Sequence, residues 1–178
     1  MKIIGIDPGQ HGGIAVLEDE NITELIIMPT YTVIKSNKKK KEMVDFTIIS
    51  NLFKRHNPKI VYIEKVSAMP KNGCVSMFNF AWSVSGIYGI CAALEIPIVA
   101  VGPKTWQETL MGKKPKGEHR EKEETIQFVQ NKWSNVSLLA TPRSKKPHDG
   151  LSDSIAIGYY GFLEETKKNI INIINKEG

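Results

Sequence analysis

Cysteine is scarce, with Cys74 and Cys91 the only two in 178 residues. Their spacing fits no zinc-binding pattern, and a reducing compartment argues against a disulfide, so both read as small core or semi-buried residues. No apolar run approaches the roughly 20 residues needed to cross a bilayer, and no membrane partner is expected. The opening segment MKIIGID carries neither an apolar signal core nor a small-residue cleavage site, which makes the cytosol the expected compartment. Internal repeats and a linker that would mark a second domain are missing as well. What is present is ordinary for a globular protein, with 41% hydrophobic and 24% charged residues. A single domain of this length buries about two-thirds of its surface on folding.

The net charge of +5 is modest, but it is unevenly spread. Lys35 and Lys38 to Lys41 form one basic block, Lys113, Lys114, Lys116, Arg120 and Lys122 a second, and Arg143, Lys145 and Lys146 a third. Each interrupts a well-patterned stretch, as loops do. One such block is commonly just a solvated loop. Three in a chain of modest charge point towards a polyanionic partner.

Lys2 to Asp7, Gly13 to Leu17 and Ile22 to Val33 (broken by Pro29) read as strands separated by PGQHGG and EDEN, short connections that make antiparallel hairpins. From Glu42 to Arg55 the apolar residues Met43, Phe46, Ile49, Leu52 and Phe53 fall at helical spacing. A strand from Lys59 to Val66, a long helix from Val75 to Leu94 and a strand from Ile98 to Val101 follow. Two helices complete the order, one from about Glu118 to Trp133 and one that starts in KKPHDGLSDSIAIG and ends near Leu163. The expected fold is α/β, a mixed sheet with three antiparallel strands and then parallel ones, flanked by helices. Residues 164–178 repeat isoleucine at helical spacing and read as a helical or flexible tail.

Asp7 ends an apolar strand, and Glu64 lies inside another, where a carboxylate is costly unless paired or metal-bound. Taken singly, each is also compatible with a turn or an alternating edge strand. If their strands are neighbours, the two acids lie side by side. Asp149 and Asp153, four apart, share one helix face, where like charges repel. Three or four carboxylates suit hard divalent cations such as Mg²⁺ or Mn²⁺. Two such ions about 4 Å apart serve phosphodiester cleavage. His148 precedes the pair and is either a loop or cap residue or a further ligand or water-orienting group. His11, His56 and His119 have no such setting.

Four segments, IGIDPGQHGGIAV, VYIEKV, VGPKTW and HDGLSDSIAIG, in this order and spacing resemble the RuvC-type Holliday junction resolvases of the RNase H-like superfamily, particularly phage and organelle variants with an HDG-x-x-D ending. The resemblance spans about residues 2–163. It implies a five-stranded RNase H-like nuclease domain over residues 1–163. It further implies a homodimer that binds four-way DNA junctions and cuts two strands by paired symmetric nicks, using two Mg²⁺ or Mn²⁺ ions per site and associating with nucleoid or viral DNA. The catalytic acids and metal ligands fall on Asp7, Glu64, Asp149 and Asp153. Bacterial members usually separate the last pair by three residues, whereas here it is four and position 150 is glycine. Lys122 matches a lysine near the scissile phosphate, and His148 is a further candidate. The helix after Glu64 corresponds to a dimerisation helix with a junction-wedging aromatic, placed in MPKNGCVSMFNFAW on Phe78 or Phe80. Lys104, Lys113, Lys114, Lys116, Arg120, Lys145 and Lys146 complete the expected DNA contacts.

Three rivals share parts of the pattern. The first hairpin also resembles that of actin-like and sugar-kinase ATPases, but those need two such domains. An RNase H-like enzyme acting on RNA/DNA hybrids or structured RNA would use the same acids. A non-catalytic junction-binding module would not need all four.

Overall fold

The computed structural model describes residues 1–34, 36, 38–65 and 73–177. Seven strands and five helices appear among them: β1 (Lys2–Asp7), β2 (Gly13–Glu18), β3 (Asn21–Ile27), β4 (Thr30–Ile34), β5 (Lys40–Val44), α1 (Phe46–His56), β6 (Ile60–Glu64), α2 (Cys74–Ala93), β7 (Ile98–Val101), α3 (Pro103–Met111), α4 (Lys122–Lys132) and α5 (Asp149–Glu177). The main sheet has five strands in the order β3-β2-β1-β6-β7. β1, β2 and β3 pair antiparallel, while β6 runs parallel to both β1 and β7. This is the mixed sheet expected from the order of elements.

Strand parity decides what each face carries, because successive side chains point to opposite sides. Ile4 and Ile6 of β1, with Val61 and Ile63 of β6, pack with Ile49, Leu52 and Phe53 of α1 and Ile87 and Cys91 of α2. The intervening residues face the other way. Ile3 and Tyr62 meet Ala156 and Ile157 of α5 and Trp106 of α3, and Ala15 and Leu17 meet Leu151 and Ile155 of α5 and Val129 of α4. Asp7 and Glu64 have the parity of Ile3 and Tyr62 and belong to the α5 face. No described helix is long and apolar enough to cross a membrane.

Several boundaries differ from the sequence expectation. The strand expected over Ile22–Val33 is two, β3 and β4, because Met28 donates its amide to the Gly12 carbonyl and Pro29 has none to donate. β4 then pairs with β5 in a separate two-stranded sheet. Lys40 and Lys41 therefore lie in a strand, not in a loop, and Lys35 lies outside the described residues. α1 begins at Phe46 instead of Glu42, since Asp45 caps it by accepting from the amides of Thr47 and Ile48. α3 was not anticipated, although Pro103 at its first turn is a start signal. The helix expected from Glu118 starts at Lys122, where Glu121 and Glu124 form a reciprocal capping box. β6 ends at Glu64, and Val66 is outside the described residues.

α5 does not end near Leu163 but continues to Glu177, 29 residues and about 43 Å. Its middle is fastened to the sheet by the Tyr62 hydroxyl, which donates to the buried Glu165 carboxylate at 3.1 Å. Ile170, Ile171, Ile173 and Ile174 beyond it are exposed.

A carboxylate cluster at the strand ends

β1 and β6 pair in parallel with Ile6 opposite Ile63, so Asp7 and Glu64 end neighbouring strands side by side on one face. The adjacency that the sequence could state only conditionally is thus met. α5 crosses that face and brings Asp149 and Asp153 from its first turns.

Close backbone approach makes this crossing possible. A Cβ on Gly150 would stand 2.5 Å from the His11 carbonyl oxygen and 2.6 Å from the Gly12 Cα. Further along, a Cβ on Gly5 would meet the Ser154 carbonyl oxygen at 2.2 Å. Real side chains cannot occupy either place, so glycine lets the helix lie directly on the strand backbones. The glycine between the two aspartates, a mere departure in the sequence comparison, is what lets the helix start rest against the Gly9–Gly12 turn.

Burial and mutual repulsion set the electrostatics. Asp153 is pushed up to about 8, first by burial and then by the charges of Asp7, Glu64 and Asp149. Glu64 is raised to about 7 by burial and by Asp7. The Trp106 indole N–H opposes this by donating to Glu64 Oε1 at 3.1 Å. Burial also raises Asp7, helped by Asp149 and opposed by the Gly9 amide, His148 and Lys122. Asp149 goes the other way. Burial alone would raise it, but the hydrogen bond and charge of Lys122 prevail and hold it below the ordinary carboxylate range. Three buried acids whose affinity for protons is raised, two of them by the charge of Asp149, form a site that favours added positive charge.

Lys122, the first residue of α4, donates to Asp149 Oδ2, so the residue singled out near the acids does reach one of them. His148 accepts the first bonds of α5 through its carbonyl, as a helix-start residue does. Its Nδ1 is buried without a hydrogen-bond partner among the described residues, 4.0 Å from Asp149 Oδ1. All-oxygen donors in mutual repulsion, with an orphaned imidazole nitrogen beside them, fit a hard divalent cation in chemistry. As the side chains stand, no group of three or more His, Cys, Asp or Glu converges closely enough to hold an ion among the described residues.

The other expected contacts are dispersed. Phe78 is exposed and lies 6.2 Å from the Trp82 ring, whereas Phe80 is half-buried. Met69 to Asn72 of the same segment lie outside the described residues. Arg120 is spent on Glu124 and the Gly112 carbonyl, and Lys114 on Glu124, which shapes the loop ahead of α4. Lys104 pairs with Glu108, while Lys113, Lys116, Lys145 and Lys146 are exposed. Sequence reasoning missed Trp106, whose signal was a tryptophan in the quoted VGPKTW segment directly after a strand.

No protein-family model and no curated protein matches the chain. Among solved structures, Thermus thermophilus RuvC matches with 18% identity and a TM-score of 0.61, over 94% of this chain and 97% of that one. A structure of T. thermophilus RuvC in complex with a Holliday junction substrate matches with 17% identity and a TM-score of 0.62, over 94% and 96%. At such identities the likeness is one of architecture, and the chain has the RNase H-like fold seen in RuvC.

Proposed function

We propose that this chain is a metal-dependent endonuclease that resolves four-way DNA junctions, working as a homodimer that makes paired symmetric nicks. The observation that carries the reading is the carboxylate cluster, in which burial and repulsion lift Glu64 to about 7 and Asp153 to about 8. One structure with this fold holds RuvC on a Holliday junction substrate, which favours branched DNA over other phosphodiesters.

Mg²⁺ or Mn²⁺, two per site, would relieve that repulsion and supply a polarised water and charge stabilisation for phosphodiester hydrolysis. Asp7 and Glu64 would hold metal from the rigid strand ends, and Asp153 and Asp149 from the helix. Trp106 keeps one Glu64 oxygen engaged and fixes the carboxylate's orientation. Lys122, drawn to Asp149 in the free protein, carries its ammonium to the side from which a phosphate would approach. His148 offers an unengaged nitrogen for water or metal. Lys113, Lys116, Lys145 and Lys146 make no ion pair among the described residues and suit phosphate contacts. The α2 surface suits a second copy: Val75, Phe78 and Trp82 are exposed in one helical stripe that continues over small residues. Phe78, 65% exposed, is the better candidate for an aromatic wedge than half-buried Phe80.

The test is incubation with a synthetic four-way junction, a linear duplex and an RNA/DNA hybrid, with and without Mg²⁺. Symmetric Mg²⁺-dependent nicks on the junction are expected, and Asp7→Asn should abolish them while junction binding persists. Cleavage of the hybrid alone would move the chain to an RNase H-like role. Wild-type rates in Asp7→Asn would remove the carboxylates from the chemistry.

A further inference from the structure

The β4–β5 hairpin is the part of the molecule that the site leaves unexplained. Residues 30–44 contain five lysines and one glutamate, a net +4 in a chain of net +5. Several cations elsewhere are matched: Lys114 and Arg120 pair with Glu124, Lys132 with Glu20, Lys59 and Lys168 with Glu165, and Lys122 with Asp149, whereas Lys113, Lys116, Lys145 and Lys146 make no ion pair among the described residues. Lys38 and Lys40 are exposed and make no ion pair among the described residues. Lys41 donates to the neutral Asn79 amide of α2 at 2.7 Å, which leaves its charge uncompensated. Glu42, the hairpin's one acid, is engaged by the Thr32 hydroxyl.

The hairpin is also held in place. The Asp45 amide closes its base on the Pro29 carbonyl, and Val44 is buried in the main core. Gln10, in the turn that follows Asp7, donates through Nε2 to the Glu42 carbonyl at 2.7 Å. The hairpin is therefore tied on one side to the turn that follows Asp7 and on the other to Asn79 in α2, at the end of the sheet where β1 finishes. Ammonium groups held in place on Lys38, Lys40 and Lys41 without a carboxylate partner are suited to a phosphate backbone, because binding there releases condensed counterions from the DNA.

We propose that the β4–β5 hairpin is an arm that grips the phosphate backbone of a duplex segment beside the carboxylate site, through Lys38 and Lys40, with Lys41 bracing it on α2. The inference rests on the nuclease reading above. The arm positions DNA and takes no part in the chemistry.

The experiment uses the full chain without divalent metal, so that binding is read without cleavage. Affinity for a four-way junction and for a linear duplex is measured against salt for wild type and for Lys38→Gln/Lys40→Gln. The log–log salt slope should fall in magnitude by about 1.8, roughly 0.9 for each phosphate that the variant no longer neutralises. Lys2→Gln/Lys54→Gln removes equal charge at the opposite end of the sheet and should leave the slope unchanged. An unchanged slope in the hairpin variant, or an equal fall in the control, overturns the proposal. Failure of wild type to prefer the junction counts against junction resolution instead, while the slope difference on duplex still judges the hairpin.

Discussion

Replacing Asp153 by asparagine should make the metal-free protein more stable at about pH 8 but not at about pH 5. The carboxyl stands near 8 in the folded protein against an ordinary 3.8. The folded state therefore holds this proton more tightly than the unfolded chain. That advantage is fully present below the unfolded value and is lost as pH rises through the folded one. At 1.36 kcal/mol per unit, carrying the carboxyl to about pH 8 costs the fold on the order of 5 kcal/mol. Asparagine removes the charge but keeps a buried amide, which gives back about 2 kcal/mol. The net gain of about 3 kcal/mol corresponds to a rise in melting temperature of roughly 6–12 °C for a chain of this size. At about pH 5 the folded carboxyl already carries its proton, and the gain should vanish. Thermal unfolding followed by far-UV circular dichroism in EDTA at the two pH values measures both. With Mg²⁺ the order should invert, because a cation that binds only the folded wild type stabilises it by mass action. A variant no more stable than wild type at about pH 8, or one stabilised equally at both pH values, would refute the argument that burying this carboxylate among other acids costs the fold stability.

Gly150→Ala should abolish nicking and cost roughly 1–3 kcal/mol, because its Cβ would press on backbone atoms of His11 and Gly12 and force the start of α5 off the sheet. Activity and thermal unfolding, measured together, check it; a nearly wild-type nuclease would mean that the close approach does not position the aspartates. Trp106→Phe should remove the hydrogen bond to Glu64 and lower stability by about 1.5–3 kcal/mol. Because that bond holds the Glu64 carboxyl down, its loss should also move the Glu64 titration of the metal-free protein upward, followed by NMR of its carboxyl carbon. A titration that stays in place would reduce Trp106 to a packing residue.

Most of the sheet was legible from local chemistry. β1, β2, β6 and β7 are short apolar runs bounded by turn residues, and α2 is a long apolar segment stopped near Pro97. Less legible were segments where local signals compete. Met43 sits at helical spacing with Phe46, yet Asp45 caps the helix after it, and the residues before the cap are taken by pairing with β4. The α3 helix was missed because it is short, and the tail after Leu163 was left between helix and flexible chain because its last turns expose isoleucine instead of burying it.

The sequence by itself determined the chemical inventory and its parity: an acid at the end of Lys2–Asp7, another inside the apolar strand from Lys59 to Val66, and two more one helical turn apart. Those facts depend only on residue type and on the periods of strand and helix. Tertiary structure alone decided that β1 and β6 are neighbours, that α5 touches β1 at Gly5 and the turn after it through Gly150, and that Trp106 reaches Glu64 from a distant segment. It also decided which lysines are neutralised. Lys114, Arg120 and Lys122 meet carboxylates brought to them by folding, whereas Lys38 and Lys40 meet none among the described residues. The physical reason is the same in each case: these interactions join groups far apart in the chain, and no local propensity records which of them will meet.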